Sequence, residues 1–272
     1  LSKEKVQRRG PKILFLDIET SLIEGYFWRL YDEVSSMAMV EHDWYVLCWC
    51  AKWYHEDKMI RGSLPEFKDA YRRNKRNDRQ LMLKLKGLLD EADIIVTQNG
   101  IKFDHKKINA RFMYHGILPP TPFQVVDTLR AIKAVSKHSS HKLDDLAKSF
   151  KFGQKAETGG IPLRVGCMKR CKDSWQKMVD YCEHDVRLLE RLYVRILPWI
   201  KSHPNYANYL DATRPTCPNC GSYTLKKIGG CYYTKVSKTE RYCCTTCGTQ
   251  VRDRINLNTK KNKPGKIMLM QT

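Results

Sequence analysis

Residues 12–20 read KILFLDIET. It is an apolar run that ends in acids, which reads as a buried strand with polar side chains at its carboxyl end. Asp17 and Glu19 stand two positions apart, so on a strand their side chains share one face. Two carboxylates held close repel, and both stay ionised only with a cation between them. Hard oxygen ligands of this kind suit Mg²⁺ or Mn²⁺. Taken alone, the D-x-E pattern fits equally a strand that ends in solvated acids.

Downstream of it, YVLCWCAKWY (45–54) and KMIRGSL (58–64) read as two strands joined by the polar turn at 55–57. Residues 21–43 form a long connection that holds Tyr26, Phe27, Trp28 and Tyr31. Leu81, Leu85, Leu88 and Leu89 have helical period and predict a helix over 78–91. DIIVTQNG (93–100) predicts a buried strand, 104–115 a helix stopped by Gly116 and Pro119, FQVVDTL (123–129) a fifth strand and 141–150 a short helix. Residues 151–173 are polar, contain Gly159-Gly160 and predict a mobile loop. Residues 174–201 predict a long helix with Met178, Tyr181, Cys182, Val186, Leu189, Leu192 and Ile196 on one stripe. The order predicts a mixed α/β sheet, its first three strands a meander and its later ones joined by helical crossovers.

Two further acids fall at informative places. Asp104 follows the strand ending at Asn99-Gly100 and starts a helix, where it can also serve as a cap. In YCEHD, Tyr181 and Asp185 lie four apart, one helical turn on one face. Asp185 sits in a largely apolar stripe, and a buried carboxylate needs a compensating charge or a metal.

The ordered set, D-x-E on the first strand, N-x-x-x-F-D after the fourth and Y-x-x-x-D on a late helix, resembles the DEDD family of 3′→5′ exonucleases within the RNase H-like superfamily. The resemblance covers about residues 12–200. Tyr181, four before Asp185, is similar to the DEDDy branch; the DEDDh branch would want His at 180, which is Asp180. Asp127-Thr128 and the segment KLDDL (142–146) also resemble the family's pattern. The resemblance implies an RNase H-like mixed five-stranded sheet flanked by helices. It implies that Asp17 bridges two Mg²⁺ or Mn²⁺ ions, that Glu19 and Asp185 complete one site and that Asp104 holds the other. In such a two-metal centre one ion activates water and the other stabilises the leaving 3′ oxygen. Tyr181, an ordinary phenol, then guides the water rather than acting as a base. The same resemblance makes Asn99 and Phe103 substrate contacts, and Tyr26, Phe27 and Trp28 a stacking platform or wedge beside the terminal nucleotide. A hydrophobic flap over the core explains those three aromatics equally well.

Other chemistries fit less. His184-Asp185 spells the dyad of HD phosphohydrolases, which resemble all-helical proteins, whereas the early half here is rich in strands. Neither GxxxxGK[ST] nor GxSxG occurs, so P-loop NTP hydrolysis and acyl transfer lack support.

The 272 residues carry 49 Lys and Arg against 29 Asp and Glu, a net charge of +20. Residues 201–272 hold 13 basic and 3 acidic side chains, so half of the excess lies in that tail. Such a balance attracts polyanions, phosphate backbones first. No apolar run approaches the roughly 20 residues that span a bilayer, so no membrane association is expected.

Eleven cysteines are unevenly placed: Cys48, Cys50, Cys167, Cys171 and Cys182, then six between Cys217 and Cys247. The odd number and the metal-ligand spacing point away from disulfides and toward a reducing compartment. The chain's overall look resembles phage and bacterial nucleases, and that resemblance implies the cytoplasm of a bacterial or phage-infected cell. CPNCG (217–221) and CTTCG (244–248) pair Cys217 with Cys220 and Cys244 with Cys247. Four thiolates make a closed, structural Zn²⁺ site. The segment resembles a zinc ribbon, with LKKIGG, CYYTKV and ERYCC as hairpin strands; Cys231 and Cys243 are spare, and Cys243 is a rival to Cys244.

The expected organisation is an RNase H-like domain over 1–203, a zinc ribbon over 204–257 and a disordered basic tail over 258–272. The expected function is a metal-dependent 3′→5′ exonuclease acting on single-stranded 3′ ends, DNA favoured over RNA, and releasing nucleoside 5′-monophosphates. Its cofactors are two Mg²⁺ or Mn²⁺ and one Zn²⁺. The ribbon is expected to touch nucleic acid or to dock a replication or recombination protein. The alternatives are a structure-specific endonuclease on the same fold and a catalytically silent nucleic-acid-binding adaptor.

Overall fold

A computed structural model describes residues 10–29, 36–153, 159–210 and 212–259. Its strands are β1 (Ile13–Thr20), β2 (Glu24–Gly25), β3 (Val40–His42), β4 (Val46–Trp53), β5 (Met59–Ser63), β6 (Ile94–Thr97), β7 (Gln124–Asp127), β8 (Leu225–Tyr233), β9 (Lys238–Cys244) and β10 (Gln250–Arg252). Its α-helices are α1 (Lys68–Arg73), α2 (Arg79–Glu91), α3 (Asp104–Tyr114), α4 (Thr128–Val135), α5 (Leu143–Ser149), α6 (Gly160–Met168) and α7 (Lys172–Ile196). The chain divides into two compact units, Lys12–Val194 and a second made of Leu1–Pro11 with Arg195–Thr272.

The larger unit is built on a five-stranded mixed sheet in the order β5-β4-β1-β6-β7. β4 runs antiparallel to both β1 and β5, while β6 and β7 join β1 in parallel. The central strands are apolar on both faces because helices cover both. Leu14, Phe15, Leu16, residues 46–51 and residues 94–96 are essentially without solvent contact. Alternation assigns the faces. Trp49 donates its indole N–H to the carbonyl of Leu81 on α2 at 3.2 Å. Its neighbour Cys50 points the other way and contacts the carbonyl of Val179 on α7 at 3.7 Å. Phe15 lies on the α7 side, edge-on to Tyr193 at 5.3 Å between ring centroids. Asp17 and Glu19, two and four residues on, therefore also face α7.

Several local expectations are corrected. The connection over 21–43 contains a small antiparallel hairpin, β2 with β3; Tyr31 lies outside the described residues. The loop expected over 151–173 contains α6, with residues 154–158 outside the description. Only Cys167 of α6 is buried, so the helix left almost no apolar period to read. Its glycine is a packing residue rather than a breaker: a Cβ at Gly166 would stand 2.1 Å from Ser174 Oγ on α7. The strand expected over 123–129 ends at Asp127, whose side chain caps α4 by accepting the N–H groups of Leu129 and Arg130 at 3.0 and 3.3 Å. The last long helix stops at Ile196, where Leu197–Trp199 tightens into a 3-10 turn around Pro198, which has no N–H to continue the ladder.

In the smaller unit β8, β9 and β10 form an antiparallel sheet in the order β10-β9-β8. LKKIGG and CYYTKV do not form two strands. Residues through Tyr233 make one strand that slips register between Ile228 and Cys231, with Gly230 at φ +73°. The basic tail from 260 onward lies outside the described residues. No helix among the described residues is long and apolar enough to cross a membrane.

Candidate active site and metal centres

β1 delivers Asp17 and Glu19 to the face covered by α7, and α7 brings Asp185 to meet them. One carboxylate oxygen from each of the three lies within 4.8 Å of the others. Glu19 and Asp185 are buried and Asp17 is half-buried. The floor beneath them is made of thiols. Asp17 pairs in register with Cys50 and Glu19 with Cys48 on β4, and Cys182 of α7 contacts an Asp17 carboxylate oxygen at 3.5 Å.

Asp104 arrives by a different route. β6 ends in a tight turn in which Asn99 adopts φ +63°. Asp127 holds that turn by accepting the N–H groups of Asn99 and Ile101 at 3.0 and 3.2 Å. A side chain at Gly100 would meet Thr97 Oγ1 at 2.1 Å, so the turn requires glycine there. α3 then starts at Asp104, whose cap position is Phe103, so Asp104 is not the cap. The backbone N–H of Ile18, between Asp17 and Glu19, favours the charged form of its buried carboxylate. Asp104 is outside the three-oxygen group but close enough to raise the Asp17 pKa.

The electrostatics of this end of the sheet are those of crowded anions. Burial, then the charges of Glu19, Asp104 and Asp185, push the Asp17 carboxyl well above its ordinary range. Burial raises Asp104 to about 7, against the hydrogen bonds from backbone N–H groups that favour its charged form. Tyr181 hydrogen-bonds Asp185, and burial with the charges of Asp185 and Glu19 drives its pKa up, so it remains a phenol at neutral pH. Carboxyls that resist ionisation without a cation, arranged as hard oxygen donors, fit divalent ions such as Mg²⁺ or Mn²⁺.

The expected substrate contacts are placed less tightly. Asn99 is half-buried in the turn before α3, and Phe103 is 40% exposed beside Asp104. Tyr26, Phe27 and Trp28 follow β2 and stand exposed, Trp28 at 93%. None of the three is a partner of the acid group among the described residues.

Two functional or supporting residues had no sequence signal. Arg164 of α6 forms an ion pair with Glu19 through Nη2. Asp78, fully buried, takes Arg111 in a bidentate pair at 2.8 and 2.7 Å and accepts the N–H of Val46 at 2.8 Å, which ties α3 to β4. Neither pairing has a spacing that a linear reading can use, since 145 and 33 residues separate the partners.

The smaller unit gathers Cys217, Cys220, Cys244 and Cys247, their sulfurs all within 4.8 Å of one another. Two matching turns make this possible. Gly221 N–H donates to the Cys217 carbonyl at 2.9 Å and Gly248 N–H to that of Cys244 at 2.8 Å, with φ of +72° and +82° at the glycines. Cys243, on the opposite face of β9 from Cys244, accepts from Gln250 Nε2 at 3.1 Å and stays outside the group. Hydrogen bonding from Cys220 lowers the Cys217 thiol to about 5 while Cys220 itself is raised, as when one thiolate forms among neighbours that keep their protons. Four sulfur donors at this spacing fit a tetrahedral Zn²⁺ or similar thiophilic ion.

Residues 59–197, just over half of the chain, match the family model described as RNase_H superfamily. The chain belongs to the RNase H superfamily. The PolC-type DNA polymerase III of Ureaplasma parvum is a relative of this RNase H superfamily chain, 32% identical over 82 residues. That match takes in 30% of the present chain and 6% of the polymerase. A family B DNA polymerase from Pyrobaculum calidifontis superposes with a TM-score of 0.49 at 16% identity, over 69% of this chain and 25% of that one.

Proposed function

We propose that this protein is a metal-dependent 3′→5′ exonuclease of the DEDDy type that releases nucleoside 5′-monophosphates from single-stranded 3′ ends, with DNA as the favoured polymer. The observation that carries this is the meeting of Asp17, Glu19 and Asp185 within 4.8 Å, with Asp104 close enough to raise Asp17 and Tyr181 bonded to Asp185. Membership of the RNase H superfamily supports a nuclease. The relative named as a DNA polymerase supports DNA and a replicative setting.

In this reading Asp17, Glu19, Asp104 and Asp185 hold two Mg²⁺ or Mn²⁺ ions, which supply water activation and charge stabilisation at the phosphate. Tyr181 keeps its proton and orients the attacking water by hydrogen bonding while Asp185 fixes the phenol in place. The thiol floor excludes bulk water from beneath Asp17. Asn99 and Phe103 contact the terminal nucleotide, and Tyr26, Phe27 and Trp28 give bases a stacking surface. The RNase H-like domain is assigned to 1–203, a zinc ribbon to 204–257 and a basic tail to 258–272. Cys217, Cys220, Cys244 and Cys247 hold Zn²⁺ as a structural ion, and the ribbon's basic strands lie along nucleic acid.

Incubating the protein with Mn²⁺ or Mg²⁺ and equal amounts of linear and closed circular single-stranded DNA tests the reading. Release of 5′-mononucleotides from the linear DNA alone is expected. Cutting of the circles would instead favour an endonuclease on this fold.

A further inference from the structure

The acid centre contains a cation of the protein's own. Arg164 reaches Glu19 through Nη2, and its Nη1 lies 3.4 Å from the carbonyl of Gly160 at the start of its own helix. The two partners differ in exposure: the Glu19 side chain is 8% accessible and that of Arg164 29%. The arginine is thus the solvent-side member of the pair. Its helix is fixed by the approach of Gly166 to Ser174 and by the burial of Cys167, so the guanidinium is delivered to this carboxylate.

A guanidinium stays charged at any pH a protein meets, and it pairs equally well with a carboxylate or a phosphate. On Glu19 it neutralises part of the anion crowding. It also occupies a ligand that the exonuclease reading gives to a divalent ion, and it repels further positive charge. We propose that Arg164 is a traded cation: it guards Glu19 in the metal-free protein, and yields Glu19 to divalent ions as its guanidinium turns to a phosphate of the nucleic acid. This rests on the exonuclease reading and adds to it a phosphate-binding residue and a coupling. Divalent ions on Glu19 release the arginine for phosphate, and phosphate draws the arginine off Glu19. By linkage, each ligand then favours the other.

The test is calorimetric titration of the full-length, zinc-loaded protein with Mn²⁺ in the absence of nucleic acid, for wild type, R164Q and R164K. Cleavage of single-stranded DNA at saturating Mn²⁺ is measured alongside. R164Q, which keeps polar contacts but removes the charge, is expected to bind Mn²⁺ about tenfold tighter and to cleave at least about tenfold more slowly. R164K keeps the charge and is expected to stay near the wild-type Mn²⁺ affinity. Mn²⁺ binding by R164Q that is unchanged or weaker would overturn the guarding role and leave an arginine that merely orients Glu19. Tighter Mn²⁺ binding with undiminished cleavage would overturn the phosphate contact. Wild-type protein that takes up Mn²⁺ but cleaves no nucleic acid would sink the exonuclease reading, and the R164Q titration would still decide whether Arg164 guards Glu19.

Discussion

The carboxylate of Asp104 lies near the backbone N–H of Ile18, the residue between Asp17 and Glu19, which favours its charged form. The start of α3 is thereby close to β1, with an acid 87 positions downstream of Asp17 near the same strand. This proximity carries charge as well as position. Replacing Asp17, Glu19, Asp104 or Asp185 singly by Ala is expected to lower nuclease activity at least about a thousandfold, since each group would hold a metal that supplies most of the catalysis. The variants should fold, because in the metal-free state each substitution relieves repulsion among the remaining acids. Activity on a labelled oligonucleotide and thermal melting in chelator check both halves.

A pH dependence follows from Asp104 and Asp17. Both are raised above their ordinary range, Asp104 to about 7. Between pH 4 and 7 the folded, metal-free protein therefore binds protons that the unfolded chain has already lost. Its stability must fall as pH rises through that window. Divalent ions need the ionised carboxylates, so Mn²⁺ affinity should rise over the same window with release of protons. Melting temperatures in chelator and in Mn²⁺ between pH 5 and 8 should move in opposite directions. Parallel curves would remove the acids from the metal site.

The cysteine group predicts one zinc ion per chain that survives dialysis against weak chelators. Cys220→Ser and Cys247→Ser should lower zinc content, while Cys243→Ser should leave it unchanged, since the Cys243 sulfur lies outside the group. A small module gains much of its folding energy from such an ion. Stripping it with a strong chelator should therefore increase protease cutting within 212–259, with the larger unit left intact. Metal analysis and limited proteolysis decide the matter.

Asp78→Ala is expected to destabilise the larger unit by about 3–5 kcal/mol, because it strands the buried guanidinium of Arg111. Denaturant unfolding of the variant measures this. A loss under about 1 kcal/mol would mean that water reaches Arg111 once the carboxylate is gone.

The parts of this architecture that were readable are those set by period and local chemistry. The apolar runs around 13–18, 46–51 and 94–96 declared buried strands, and D-x-E two apart declared one face. Y-x-x-x-D declared one helical face, and C-x2-C with glycine declared a thiolate turn. The parts that were not readable depend on partners distant in the chain. α6 buries only Cys167, so its sequence looked like loop, and with it went Arg164 and the ion pair to Glu19. Nothing in the linear order of residues marks Asp78 as the partner of Arg111, and only the fold brings the two together. β8 was split in two by Gly229-Gly230, which in the folded sheet allow a slip of register rather than a turn.

In the proposed function Asp17, Glu19, Asp104 and Asp185 hold the ions of a 3′→5′ exonuclease. A time course on 5′-labelled single-stranded DNA with Mn²⁺, wild type beside Asp185→Asn, tests it most directly. The wild type is expected to give a ladder shortened one nucleotide at a time from the 3′ end, and the variant an intact band. No shortening by the wild type, or the same ladder from Asp185→Asn, would contradict it.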